Sequence, residues 1–226
     1  MGDKLMIKAV IFDMDGTIVD SEPIYEKVNE EIYKKYGFNL SQEDYDRHMG
    51  SNLKDIWEDI LDRYQVKDEY SHYKIEDFME EHIHESYQGL AEAEELELMP
   101  GVKEWFGFLK DHGYKMIIAS SSYSPVIEHV YQRFELGQYM EGYVDGNSIE
   151  NGKPAPDIFL KAAEKMGVKA EECLVIEDSE HGVNGAQKAG TKVIGFNRAQ
   201  DQSQDLSKAD LIIEEFNQEN LQQILK

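Results

Sequence analysis

The chain has 226 residues, of which 41% are hydrophobic and 31% are charged, and its formal net charge at pH 7 is −23. This length fits one large domain, or a core with an insertion. The acidic excess disfavours partners that carry phosphate backbones or anionic head groups, because like charges repel. We therefore predict neither a nucleic-acid partner nor a membrane partner.

The cysteine count and the hydropathy indicate the cellular setting. Cys173 is the one cysteine of the sequence, which excludes an intramolecular disulfide and makes a reducing environment the default. No apolar stretch approaches the roughly 20 residues that a membrane-spanning helix needs. The first residues, MGDKL, lack a signal-peptide pattern. Together these features predict a cytoplasmic protein.

The predicted elements begin with a strand and continue as helices. Residues 6–12, MIKAVIF, form a nearly continuous apolar run, which is typical of a parallel strand covered on both faces. Ser21 then opens a helical pattern with an early proline and a closing Gly37, and Ser41 opens SQED, which has capping-box spacing. Helical spacing continues without a convincing strand, so we predict an all-helical insertion over residues 19–95.

After the insertion, strands and helices alternate along the chain. Apolar runs typical of strands occur in YKMIIAS, EGYV, CLVIED, TKVIGF and DLIIE, with helical patterns in GVKEWFGFLKDHG, SPVIEHVYQRF, PDIFLKAAEKMG and EHGVNGAQKAG and at the end of the chain. This order indicates parallel strands joined by right-handed crossovers. The predicted fold class is therefore α/β, with a Rossmann-like, doubly wound parallel sheet formed by residues 1–18 and 96–226.

Polar residues follow several of the predicted strands. In an open parallel sheet, ligands bind beyond the carboxyl ends of the strands, so these side chains are expected at one rim. The set contains four carboxylates, one hydroxyl and one ammonium: Asp13, Asp15, Ser120, Lys153, Glu177 and Asp178. Such a set is poorly suited to a dry core, but it suits a hard cation beside a phosphate.

Four motifs in this order resemble the haloacid dehalogenase superfamily. They are FDMDGT after the first strand, IIAS at a strand end, GKPAPDIF before a helix and VIEDSEHGV after a strand. The resemblance covers essentially the whole chain, including the helical insertion, whose position matches the cap of that family. KPAPD and EDSEHG are particularly close to the branch that contains beta-phosphoglucomutase and many small-metabolite phosphatases.

The resemblance implies roles for the acidic residues. Asp13 would be the nucleophile, and Asp15 would serve as the general acid and base. Mg²⁺ would be held by Asp13, by the backbone carbonyl of Asp15 and by Asp178, with Glu177 adjoining. A cation is expected because a carboxylate that approaches a phosphate dianion meets electrostatic repulsion.

The same resemblance implies a phosphate-binding role for the other motif residues. Gly16 permits a tight turn that exposes backbone N–H groups, and Thr17 follows it. Ser120 would donate to phosphate oxygens, with Ser121 as a neighbouring candidate in SSSYS, and Lys153 would offset charge on the nucleophile. A serine alone could be a turn residue and a lysine alone a surface residue, but the four motifs together favour the site.

The cap residues are expected to determine the substrate specificity. Beta-phosphoglucomutases resemble this chain but carry a histidine and an arginine where it has Tyr25 and Leu53, which weakens the mutase interpretation. The candidate substrate contacts in the cap are Tyr25, His48, Asn52 and Lys54. The seven histidines, including the HIH pair at 82–84, are predicted to be surface residues rather than metal ligands.

We therefore predict a magnesium-dependent phosphatase that hydrolyses a small phosphorylated metabolite through an aspartyl-phosphate intermediate. Two alternatives remain open: a phosphosugar mutase of the beta-phosphoglucomutase type, and a non-catalytic phosphate-sensing protein on the same fold. Intact Asp13 and Asp15 argue against a sensor, which would need neither a nucleophile nor an acid. We expect a monomer, with a dimer as the alternative.

Overall fold

The computed structural model describes residues 6–198 and 204–224; the opening MGDKL, part of the predicted core range, lies outside the described residues. Its centre is a six-stranded sheet in the order β3-β2-β1-β4-β5-β6, and all neighbouring strands are parallel. The strands are β1 Ala9–Phe12, β2 Lys115–Ala119, β3 Tyr143–Val144, β4 Cys173–Glu177, β5 Lys192–Phe196 and β6 Leu211–Ile213. This topology confirms the predicted α/β fold class.

The α-helices of the described residues follow the order that the sequence predicts. They are α1 Glu22–Tyr36, α2 Gln42–His48, α3 Leu53–Arg63, α4 Ile75–Glu92, α5 Val102–Asp111, α6 Ser124–Arg133, α7 Asp157–Met166, α8 Glu180–Ala189 and α9 Gln218–Ile224. The first helix ends where predicted, because Gly37 adopts a left-handed φ of 97°. Ser41 and Asp44 form the predicted capping box of α2.

Alternate residues of a strand point to opposite faces of the sheet, and both faces of this sheet are covered by helices. Val10 and Phe12 of β1 belong to the apolar cluster that includes residues of α5 and α6. Ala9 and Ile11 belong to a second cluster with residues of α7 and α8. This two-sided burial explains the nearly continuous apolar sequence of β1.

The four helices α1–α4 form the helical segment, residues 22–92, between β1 and α5. Its interior is aromatic: the ring of Phe78 lies 4.7 Å from that of Tyr36 and 5.0 Å from that of Trp57. Large buried rings of this kind contribute much of the packing energy of a small helical unit. Among the described residues, none of the helices combines the length and the apolar character needed to cross a membrane.

Candidate active site

Three neighbouring strands end at the same edge of the sheet. Phe12 of β1 pairs with Ile118 of β2 and with Ile176 of β4, and the Asp13 N–H donates to the Ile176 carbonyl at 3.0 Å. Because the carboxyl ends of parallel strands meet at one edge, the residues that follow them become neighbours. The residues brought together in this way are Asp13, Ser120, Glu177 and Asp178.

Lys153 reaches this edge from the loop before α7 and is only 2% exposed. Its ammonium lies 2.5 Å from Asp13 Oδ1 and also contacts Glu177 Oε1. Burial alone would lower the pKa of Lys153, but the carboxylates of Asp13 and Glu177 outweigh burial and raise the pKa. The side chain therefore carries its positive charge at neutral pH.

Three carboxylates cluster beside this ammonium. Asp13, Glu177 and Asp178 each place one oxygen within 4.8 Å of the oxygens of the other two. Burial, and then the neighbouring carboxylates, raise the pKa of Asp13 and of Asp178, and Lys153 opposes this only in part. A divalent cation would restore the charged forms, and a donor set made only of oxygen atoms suits a hard ion.

Glu177 is already bound on both of its carboxylate oxygens. Oε1 accepts from Lys153, and Oε2 accepts from the Ser179 N–H at 3.1 Å and from the Ser179 hydroxyl at 2.9 Å. The backbone of Gly182 in α8 packs so closely that a Cβ there would lie 1.9 Å from the carboxyl carbon. The two aspartates of the cluster are therefore better placed to hold a metal ion than Glu177, which anchors the lysine.

Serine hydroxyls surround the Asp15 carboxylate. Ser21 Oγ donates to Oδ1 at 2.7 Å, Ser122 Oγ donates to Oδ2 at 2.7 Å, and Ser120 Oγ donates to Oδ2 at 3.3 Å. Ser21 stands at the N-cap position of α1, as the sequence predicts, but its side chain makes no capping bond. Sequence reasoning missed Ser21 and Ser122 as partners of Asp15; the serine run SSSYS after β2 was the available signal for Ser122.

The loop after β1 brings two further predicted residues to this edge. Gly16 has a φ of 77°, and a Cβ there would lie 1.9 Å from Asp178 Oδ2, so glycine is required. Thr17 is fully buried, and its Oγ1 lies 3.5 Å from Asp178 Oδ1. Ser121 instead faces the helical segment, where its hydroxyl donates to the Gly50 carbonyl at 3.0 Å.

An open cavity of about 870 Å³ lies between the sheet edge and the helical segment, with Asp13, Asp15 and Asp178 in its wall. Tyr25 and His48 also line the cavity. The other two candidates lie away from the lining: Asn52 caps the start of α3, and Lys54 is exposed to solvent. The structure therefore brings two of the four predicted cap residues to the cavity.

Four polar residues of α1 and α4 line the cavity although sequence reasoning did not select them: Asn29, Tyr33, His82 and Ser86. The prediction that the histidines lie on the surface is wrong for His82, which is 5% exposed. Its ring lies 5.9 Å from that of Tyr33 and 5.8 Å from that of Trp57. For the α1 residues, the available signal was the four-residue spacing from Tyr25 to Asn29 to Tyr33, which places these side chains on one helical face.

Comparisons with known proteins agree with the fold. A sequence model of the family described as haloacid dehalogenase-like hydrolase matches residues 10–196. The phosphorylated carbohydrates phosphatase of Thermotoga maritima is 31% identical over 188 residues, which cover 83% of this chain and 84% of that protein. The beta-phosphoglucomutase of Bacillus subtilis is 27% identical over 207 residues, covering 92% of this chain and 89% of that protein.

The fold is also that of a solved structure. CbbY from Rhodobacter sphaeroides, crystallised in complex with phosphate, matches with a TM-score of 0.83 at 22% sequence identity. The match covers 93% of this chain and 95% of that chain. The sheet and the helical segment therefore recur together in a protein of clearly different sequence.

Proposed function

The chain belongs to the haloacid dehalogenase-like hydrolases, and we propose that within this family it is a magnesium-dependent phosphomonoesterase for small phosphorylated metabolites. The observation that carries the proposal is the convergence of Asp13, Asp178 and Lys153 beside Asp15 in the wall of one cavity. This arrangement combines a buried nucleophile, a nearby acid and a fixed positive charge. Those are the groups that transfer of a phosphoryl group through a covalent intermediate requires.

In the first half-reaction, a carboxylate oxygen of Asp13 attacks the phosphorus atom of the ester. The bond between phosphorus and the ester oxygen breaks, and the departing alkoxide takes a proton from Asp15. The products are the free alcohol and an aspartyl-phosphate. Lys153, charged and hydrogen-bonded to Asp13, stabilises the negative charge that accumulates around the transferring group.

In the second half-reaction, water attacks the phosphorus atom of the aspartyl-phosphate and gives a proton to Asp15. The bond between phosphorus and the Asp13 oxygen breaks, which releases inorganic phosphate and restores both carboxyl groups. Ser21 and Ser122 hold the Asp15 side chain by 2.7 Å hydrogen bonds from two sides. We assign them as positioning residues for this proton transfer.

The residues of the site fit a magnesium ion. Asp13 and Asp178 would hold it, together with the Asp15 backbone carbonyl, because Mg²⁺ prefers oxygen ligands and one or two carboxylates. The ion would neutralise acidic charge and orient the phosphate. We assign phosphate contacts to Ser120 and Lys153 and to the backbone at Gly16 and Thr17, which lie at the same edge. Ser121, whose hydroxyl donates to the Gly50 carbonyl, is a further candidate because it lines the cavity.

We further propose that residues 19–95 act as a cap on a core made of residues 1–18 and 96–226. The cavity between them would enclose the substrate and exclude bulk water from the first step. A phosphosugar mutase remains the second candidate because the Bacillus subtilis relative carries that name. A mutase must also bind a bisphosphate, so cationic side chains in the cavity would be expected.

We also propose that the protein is a monomer. Within the described residues, the large apolar side chains that are exposed are Met6, Leu160 and Ile212. Three such residues provide too little apolar surface for the core of a stable dimer interface. Light scattering coupled to size-exclusion chromatography would distinguish the monomer from a dimer.

Phosphate release from a panel of phosphorylated sugars, polyols and nucleotides tests the proposed activity. We expect release in the presence of magnesium and its loss on addition of a chelator, with recovery when magnesium is restored. Conversion of glucose 1-phosphate to glucose 6-phosphate without net phosphate release, in the presence of a bisphosphate primer, would establish the mutase instead.

A further inference from the structure

A row of polar side chains extends the cavity along α1. Tyr25, Asn29 and Tyr33 line it, and their four-residue spacing places them on one face of the helix. The row covers about 12 Å of the helix axis, since each residue advances about 1.5 Å. It begins beside the reacting groups, because Tyr25 lines the same cavity as Asp13 and Asp15.

Helix α4 forms the opposite wall with His82 and Ser86. The two helices run antiparallel, because Gly89 of α4 packs against Ile24 and Val28 in the first half of α1, whereas the His82 ring lies 5.9 Å from the ring of Tyr33 in the second half. Ser86 therefore faces the middle of the α1 row, and His82 faces its far end. The lining residues of α1 and α4 named above therefore supply hydroxyl, amide, imidazole and phenol groups.

Three polar atoms of the cavity lining have no hydrogen-bond partner within the described part of the chain: Tyr25 Oη, Asn29 Oδ1 and His82 Nδ1. His82 is more than nine-tenths buried, and burial lowers its pKa to about 4, so the ring is neutral at neutral pH. A neutral imidazole offers one donor and one acceptor nitrogen. Buried polar atoms are nearly always hydrogen-bonded in proteins, so a bound ligand that supplies partners here would be stabilised.

The charges around the cavity disfavour a second phosphate group. Glu26 and Asp46 contribute carboxylates to the lining. Arg198 is the one arginine or lysine of the lining within residues 6–198 and 204–224, and Asp20 and Glu22 already bind its guanidinium. A second phosphate dianion in the cavity would therefore meet negative charge, and no unpaired lysine or arginine of the described lining would offset it.

We propose that Asn29, His82 and Ser86 form a subsite for the hydroxyl groups of the leaving alcohol, so that the preferred substrate is the monophosphate ester of an uncharged sugar or polyol. Hydroxyl groups donate and accept hydrogen bonds, as do the three side chains that would receive them. The inference rests on the proposed phosphatase activity and names the substrate class of that same site.

Esters with six carbons and different substituents test the subsite. The substrates are glucose 6-phosphate, sorbitol 6-phosphate, n-hexyl phosphate and sorbitol 1,6-bisphosphate, each assayed for phosphate release with magnesium. The better of the two hydroxylated monophosphates should exceed n-hexyl phosphate by at least about 100-fold in kcat/KM, because a site that hydrogen-bonds hydroxyls rejects an analogue without them. The bisphosphate should be at least about tenfold poorer than that monophosphate.

The outcomes separate the subsite from the catalytic activity. Equal kcat/KM for n-hexyl phosphate and the hydroxylated esters would overturn the subsite and leave the phosphatase standing. A preference for the bisphosphate would likewise overturn it. Absence of phosphate release from all four esters and from the wider metabolite panel would remove the phosphatase and the subsite together.

Variants assign the effect to the named side chains. Asn29→Leu should lower kcat/KM for the preferred ester by at least about tenfold and change that for n-hexyl phosphate by less than about twofold. Lys27→Gln, at an exposed position of the same helix, is the matched control and should change neither. The subsite would be overturned if Asn29→Leu and His82→Gln each lowered kcat/KM for n-hexyl phosphate as much as for the preferred ester.

Discussion

The Lys153 ammonium lies 2.5 Å from Asp13 Oδ1 in a buried setting and also contacts Glu177 Oε1. This contact connects the loop before α7 to the carboxyl ends of β1 and β4. One lysine balances only part of the charge of three clustered carboxylates. The remaining negative charge is the physical reason to expect a divalent ion when the proposed phosphate ester binds.

Replacing Asp13, the proposed nucleophile, should abolish turnover without unfolding the protein. We expect Asp13→Asn to lower kcat by at least about 1,000-fold, because the amide cannot form the covalent intermediate. Phosphate release under single-substrate conditions measures the loss, and Asp111→Asn, at an exposed position of α5, is the control. Retention of more than a few per cent of the activity would rule out Asp13 as the nucleophile.

Removing the buried lysine should destabilise the fold and make its stability depend on magnesium. Lys153→Met leaves Asp13 and Glu177 without their cation, which should cost about 3–5 kcal/mol in the free energy of unfolding. Added magnesium should recover part of this loss because it binds the folded state only. Urea unfolding with and without magnesium measures both effects, with the exposed Lys192→Met as control. An unchanged urea midpoint would show that Lys153 does not offset the charge of Asp13 and Glu177 in the folded protein.

The serine contacts should matter to the rate rather than to substrate binding. Ser122→Ala removes a 2.7 Å hydrogen bond to Asp15 Oδ2, so the acid would sample unproductive orientations. We expect kcat to fall by about tenfold with little change in KM. Ser148→Ala, whose hydroxyl bonds only its own loop, is the control. A change confined to KM would point to a role in binding instead.

The buried histidine should make stability sensitive to mild acid. Burial lowers the pKa of His82 from 6.5 to about 4, so between these values the unfolded chain binds more protons than the folded chain and stability falls as the pH falls. Between pH 7 and pH 5 this contribution is about 2 kcal/mol. Unfolding at both pH values should show a loss that is smaller in His82→Gln than in the wild type by about 2 kcal/mol. Part of the loss should remain in the variant, because burial also lowers the pKa of His129 and of His181.

The neighbouring histidine supplies the control for that measurement. His84 is exposed on the same helix, so His84→Gln should retain the acid sensitivity of the wild type. Equal pH dependence in the wild type and in both variants would show that His82 protonates without penalty, contrary to its burial.

Arg133 of α6 should hold the connection that follows α4. Its guanidinium donates to the carbonyls of Ala93 at 2.7 Å, Leu96 at 3.1 Å and Glu94 at 3.2 Å. Arg133→Gln should lower the free energy of unfolding by about 1–3 kcal/mol and speed amide exchange in residues 93–97, because these acceptors lose their donor. Hydrogen exchange measures this, with Lys103→Gln, exposed on α5, as the control. Unchanged exchange in that segment would exclude the role.

The sequence by itself determined the sheet and the acidic edge of the site. Apolar runs that end in carboxylates identified β1 and β4, and parallel strands bring their carboxyl ends to one edge, so Asp13 and Asp178 could be placed together. Local spacing also identified the limits of α1, because Gly37 alone satisfies the left-handed end of that helix. These features depend on neighbours along the chain or on a simple topological rule.

Only the tertiary structure decided which side chains form the cavity. Helical periodicity shows that His82 and His84 lie on different faces of α4, but the packing of α1 against one of those faces determines which histidine is buried. Ser21 has the spacing of a capping residue, yet the fold of the loop after β1 directs its hydroxyl to Asp15. The composition of the cavity is set by contacts between elements that are distant in sequence, and local patterns do not specify which element packs on which face.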